Sequence, residues 1–125
     1  MPKARVLVVD DDSTFRNLLV ELFTEQGYET ACVMSGEEAI HKLEQGCYDL
    51  ATVDINLAGW ITGLDLLREI HGLCPKMKVI VCSAQIDKAT VAEAMKLGAK
   101  EFIAKPLEGL DQLLSMVKKT LKGGV

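Results

Sequence analysis

No apolar run in the 125 residues approaches the roughly eighteen needed to cross a bilayer, so a membrane span is not expected. The N-terminus has no hydrophobic stretch leading to a small-residue cleavage site, and a cytoplasmic location is expected. An excess of positive charge is missing as well: 14 Lys and Arg stand against 18 Asp and Glu, and no segment gathers its basic residues on one face. Direct nucleic-acid or membrane partners are therefore not expected. The four cysteines, Cys32, Cys47, Cys74 and Cys82, lack the paired C-x-x-C spacing of a zinc site or a thioredoxin-like motif. They read as reduced thiols acting as small hydrophobes. Repeats and low-complexity tracts are absent, and only Lys122-Gly123-Gly124-Val125 reads as a tail or the start of a linker.

What is present is the balance of a globular chain, 49% hydrophobic and 26% charged, and a single domain over residues 1–122 with a tail at 123–125 is expected. Five short apolar runs recur: Arg5 to Val9, Tyr28 to Val33, Leu50 to Val53, Val79 to Cys82, and Phe102 to Ala104. A helical pattern follows each. Phe15, Leu18, Leu19, Leu22 and Phe23 form an apolar stripe that Gly27 ends. Asp12 stands where it can cap that helix. Ser35 with Glu38 is a capping-box signature ahead of Ala39, Ile40 and Leu43, with Gly46 as the stop. Thr62 opens a third helix that must end before Pro75, Asp87 a fourth that ends at Gly98, and a fifth follows Pro106. Strict alternation of strand and helix implies right-handed crossovers, a parallel sheet and helices on both of its faces. Such sheets bind ligands at the carboxyl ends of their strands.

The residues at those ends are Asp10, Asp11 and Asp12 after the first run, Asp54 after the third, Ser83 after the fourth, and Lys105-Pro106 after the fifth. Converging carboxylates repel, so the cluster calls for a cation or a proton. Oxygen donors without His or Cys favour a hard ion, Mg²⁺ above all, with Mn²⁺ as a substitute. A carboxylate beside such an ion, with a hydroxyl and an ammonium opposite, suits phosphoryl transfer to aspartate.

The acidic pair in "VVDDDS", the "VDIN" of the third strand end, "VCSA" at the fourth and "FIAKP" at the fifth resemble the receiver domain of two-component response regulators. The resemblance covers residues 4 to 122. It implies an α/β, doubly wound (βα)5 flavodoxin-like fold with a five-stranded parallel sheet in the order 2-1-3-4-5. By the same resemblance Asp54 is the phosphoacceptor, Asp11 a direct metal ligand, Asp10 a ligand through water and Asn56 a ligand through its backbone carbonyl. Ser83 and its neighbour Ala84 would close on the phosphoryl group with Lys105, Phe102 would be the aromatic switch, and the bond before Pro106 would be cis. The implied partners are a histidine kinase or phosphotransfer protein and a downstream output protein or domain. A homodimer through the face of the fourth helix, fifth strand and fifth helix is a further possibility. The domain would be a signalling module that assists its own phosphorylation and dephosphorylation rather than an enzyme.

Two features depart from the family pattern: Ala58 stands where proline is common, and Gly63 falls nine residues after Asp54 instead of eight. A loop one residue longer than usual is expected. Asn56 and Gln85 occupy the positions that tune acyl-phosphate lifetime in the family. The same opening stretch also fits D-x-D-x-T, the nucleophile motif of haloacid-dehalogenase-type phosphatases, with Asp10 as the attacker. That alternative lacks a later acidic pair, since only Glu108 and Asp111 follow Lys105, in a helix. A receiver-like interaction module that works without phosphorylation is a third reading. His41 and His71 fall on helices away from the strand ends, and Trp60 reads as a partner anchor or a lid residue.

Overall fold

The computed structural model describes residues 3–84, 87–105 and 110–122. The expected cis bond at Pro106, Gln85, and the tail at 123–125 lie outside the described residues. Ten elements alternate: β1 (Arg5–Val9), α1 (Ser13–Glu25), β2 (Glu29–Val33), α2 (Gly36–Gln45), β3 (Leu50–Val53), α3 (Gly63–Leu73), β4 (Lys78–Ser83), α4 (Lys88–Lys96), β5 (Glu101–Ala104) and α5 (Leu110–Lys122). All four strand pairings are parallel and the order is β2-β1-β3-β4-β5. This is the expected doubly wound sandwich.

Side-chain alternation along the strands sorts the core into two layers. Leu7, Val9, Ala51, Val53, Val79 and Val81 point toward the face covered by Ala39 and Leu43 of α2, Leu66, Leu67 and Ile70 of α3, and Ala94 of α4. Their alternates Val6, Val8, Leu50, Ile80, Cys82 and Ile103 meet Leu19 and Phe23 of α1 and Leu113 and Val117 of α5. A strand covered on both faces has no solvated side, which is why β1, β3 and β4 read as continuous apolar runs.

The helix starts follow local chemistry. Asp12 accepts from the backbone N–H groups of Thr14 and Phe15, satisfying two of the orphan donors of α1. Thr62 and Asp65 form a reciprocal capping box at α3, and Asp87 accepts from Thr90 at α4. The α2 signature works differently from its expected form: Ser35 Oγ accepts from Glu38, but the Glu38 carboxylate reaches back to the Met34 N–H. In α1 the buried pair is Leu19 and Phe23, whereas Leu18, counted into the stripe, is 42% exposed. Phe15 and Leu22 are half-buried against the same layer, so Leu18 is the one member of the stripe that turns outward.

The cysteines correct the sequence reading. Cys47 and Cys74 form a disulfide, with Cα atoms 5.9 Å apart, and Cys32 and Cys82 are free. Spacing of 27 residues gives no pairing signal along the chain, but folding brings the α2–β3 loop against the C-cap of α3 at the amino-terminal edge of the sheet. Cys74 and Cys82 are both buried as expected, but only Cys82 is also a free thiol: burial pushes it up to about 12, far from nucleophilic.

Candidate phosphoacceptor site

Parallel pairing brings the carboxyl ends of β1, β3, β4 and β5 to one edge, and the register continues just past each strand. Asp10 N–H donates to the Val33 carbonyl, Asp54 N–H to that of Val9, and Lys105 N–H to that of Ser83. The backbone therefore fixes where each functional side chain departs. One carboxylate oxygen from each of Asp10, Asp11 and Asp54 lies within 4.8 Å of the others. Asp10 and Asp54 are 2% and 7% exposed, while Asp11 faces solvent.

Lys105 crosses from the end of β5 to bridge the two buried carboxylates. Its Nζ donates to Asp10 Oδ2 at 2.6 Å and Asp54 Oδ2 at 2.9 Å. The second oxygen of each carboxylate is also occupied: Asp10 Oδ1 accepts from the Asp12 N–H at 2.9 Å, and Asp54 Oδ1 from the Asn56 N–H at 3.0 Å. Burial raises the Asp10 carboxyl above its ordinary value, opposed by the hydrogen bonds from Lys105 and Asp12. Burial also works against the Lys105 charge, but the hydrogen bonds to Asp10 and Asp54 outweigh it and hold the ammonium above its ordinary value. The site thus keeps a protonated lysine among carboxylates that no single ammonium can fully neutralise. Three convergent carboxylate oxygens, with no His or Cys joining the cluster among the described residues, fit a small hard divalent cation.

Ser83 ends β4 fully buried, beside Ala104 in the sheet, and Ala84 next to it is exposed. Asn56 turns its side chain to solvent while its N–H holds Asp54. Phe102 does not sit at the strand end; two residues earlier on β5, it packs half-buried against the α2–α3–α4 layer. The Asp12 carboxylate is committed to the α1 cap, so it is not free to act as the second aspartate of a D-x-D-x-T nucleophile motif.

The chain matches the family model of the response regulator receiver domain over residues 6–118. It belongs to that family. The chemotaxis protein CheY of Thermotoga maritima is 42% identical over 105 residues, which cover 83% of this chain and 87% of that protein. A CheY-like receiver domain protein from Methanospirillum hungatei superposes with a TM-score of 0.92 at 29% identity, covering 97% of this chain and 95% of that one. The response regulator TrrA of Thermotoga maritima, in complex with Mg(2+)-BeF, gives 0.83 at 36% identity, covering 94% of this chain and 98% of that one. The chain is thus a receiver domain of two-component signalling, a class that works with histidine kinases and output domains.

As a receiver domain it starts α3 hard against the backbone of Asp54 and Ile55. A Cβ on Gly63 would collide with the Asp54 carbonyl oxygen and lie 2.5 Å from Ile55 Cα, so only glycine lets the helix start against the Asp54 backbone. Gly63 N–H donates to the Ile55 carbonyl at 3.0 Å. Further out in the same connection, Gly59 adopts φ +100° and Glu37 of α2 accepts from the Trp60 N–H at 3.0 Å. Trp60 itself is 94% exposed.

Some participants escaped the sequence reading. Arg16 donates from Nη1 to the Asp10 carbonyl at 2.7 Å, fixing the turn that carries the acidic pair. Phe15, counted only as helix stripe, lies with its ring centroid 4.3 Å from Lys105 Nζ. Neither belongs to a strand end, which is where the sequence directed attention.

Proposed function

We propose that Asp54 accepts a phosphoryl group from the phosphohistidine of a histidine kinase or phosphotransfer protein, in a reaction that requires Mg²⁺. The carrying observation is the Lys105 ammonium held between Asp10 and Asp54, with Asp11 completing a three-carboxylate cluster at the carboxyl edge of the sheet. Asp11, Asp54 and the Asn56 carbonyl would hold the cation directly, and Asp10 through water. When bound, the cation supplies positive charge opposite the phosphoryl oxygens; Mn²⁺ meets the same donor set.

The remaining chemistry belongs to the chain. A carboxylate oxygen of Asp54 forms a bond to phosphorus as the phosphorus–nitrogen bond of the donor breaks, and the electron pair leaves with the imidazole. Lys105 then exchanges its bond to Asp54 for a phosphoryl oxygen, and the Ser83 hydroxyl with the Ala84 N–H receives another. Drawing in Ser83 opens space for Phe102 and alters the α4–β5–α5 face, through which an output partner or a second copy binds. Without a phenolic hydroxyl, Phe102 moves on packing alone. The domain acts in the cytoplasm as a phosphorylated signalling module that assists both gain and loss of its phosphoryl group. That TrrA was solved with Mg(2+)-BeF supports the metal and the acyl-phosphate chemistry.

Incubation with acetyl phosphate and Mg²⁺, followed by trapping and peptide mapping, is expected to place the label on Asp54. Label on Asp10, or none, overturns the proposal. Trp60 offers a second readout six residues from Asp54: Mg²⁺ and beryllofluoride should each change its fluorescence, and Asp54→Ala should abolish the beryllofluoride response.

A further inference from the structure

Lys105 must hold its place while its partners change, yet its four-carbon side chain has many rotamers open to it. Its two carboxylate partners are the groups that a cation or a phosphoryl group engages. As they do so, their hold on the ammonium weakens, and something indifferent to that exchange has to keep Nζ over the site.

Phe15 meets that requirement. It is the third residue of α1, its N–H is held by the Asp12 cap at 3.3 Å, and its ring packs against the layer containing Leu19, Phe23 and Leu113. The ring is thus fixed by the core and not by the site. Lys105 Nζ lies 4.3 Å from its centroid, well inside the range in which an ammonium is drawn to the negative face of an aromatic ring. Unlike a carboxylate, the ring neither neutralises the ammonium nor binds a hard cation, so its attraction survives when Asp10 and Asp54 are otherwise engaged.

We propose that Phe15 is a positioning residue of the phosphoacceptor site, whose ring holds the Lys105 ammonium in place by a cation–π contact while that ammonium passes from carboxylate to phosphoryl oxygen. The proposal rests on the reading of Asp54 as phosphoacceptor.

Its test separates ring electrostatics from ring volume. Phe15 is replaced by Leu, Met and Tyr, and by phenylalanines of increasing ring fluorination, which weakens the negative face at nearly constant size. Two quantities are read: the rate of Asp54 labelling by acetyl phosphate, and the ring-current shift of the Lys105 Hε protons in the metal-free protein. Phe15→Leu and Phe15→Met are expected to lose the ring-current shift and to label roughly 3- to 10-fold more slowly, as loss of a desolvated cation–π contact implies. Tyr should restore both, and the rate should fall stepwise along the fluorinated series. The fluorinated proteins keep the core intact should Leu or Met fail to fold. Parental rates in Phe15→Leu, or a fluorinated series that stays flat, overturn the role of Phe15 while leaving Asp54 as phosphoacceptor. Absence of label on the parent overturns both.

Discussion

At the scale of single residues, the site is a charge imbalance held together by one ammonium. Asp10 and Asp54 share Lys105, and removing it leaves two buried carboxylates facing each other without the cation that pairs with both. Lys105→Ala is expected to lower unfolding stability by roughly 3 kcal/mol without metal, with much of the loss recovered by millimolar Mg²⁺. Urea unfolding of parent and variant, with and without Mg²⁺, measures it; equal stability without metal would show that the carboxylates tolerate each other unaided. The acidic residues and the lysine were legible because each follows an apolar run at a strand end. Arg16 and Phe15 were not, because their contributions depend on where α1 lies over the edge, and a helix stripe carries no information about which member reaches a distant lysine.

At the scale of elements, the β3–α3 connection is held at two points. Gly63 lies against the Asp54 backbone, and Glu37 accepts from the Trp60 N–H further out. Gly63→Ala is expected to cost about 1–3 kcal/mol through overpacking against that backbone. Thermal unfolding reads the loss, and acetyl phosphate labelling should slow in parallel as Asp54 shifts. A stable variant that labels at the parental rate would mean that the close approach is dispensable. Strand and helix positions were legible to within one or two residues, since period and caps are local. The partner of Glu38 and the exposure of Leu18 were not, being set by tertiary packing that a local pattern does not carry.

At the scale of the whole molecule, the sheet has two dissimilar edges. Its carboxyl edge gathers Asp10, Asp11, Asp54 and Lys105; its amino edge carries the Cys47–Cys74 bond. Fold class and strand order were legible from alternation and resemblance, whereas the bond was not, because a separation of 27 residues acquires meaning only when α3 returns to the start of β3. Closing a loop of that length restricts the unfolded chain by about 3–4 kcal/mol on chain-entropy grounds. Reduction is therefore expected to lower the urea midpoint, and Cys47→Ser with Cys74→Ser should match the reduced parent. Identical curves with and without reductant would show that the bond adds nothing to stability. The bond also encloses β3, Asp54, Trp60 and α3 within one covalent ring. A protease that cuts once inside this ring yields two pieces that still migrate as one on a non-reducing gel, and a phosphorylated Asp54 remains attached to both halves of the chain until the sulfurs are separated.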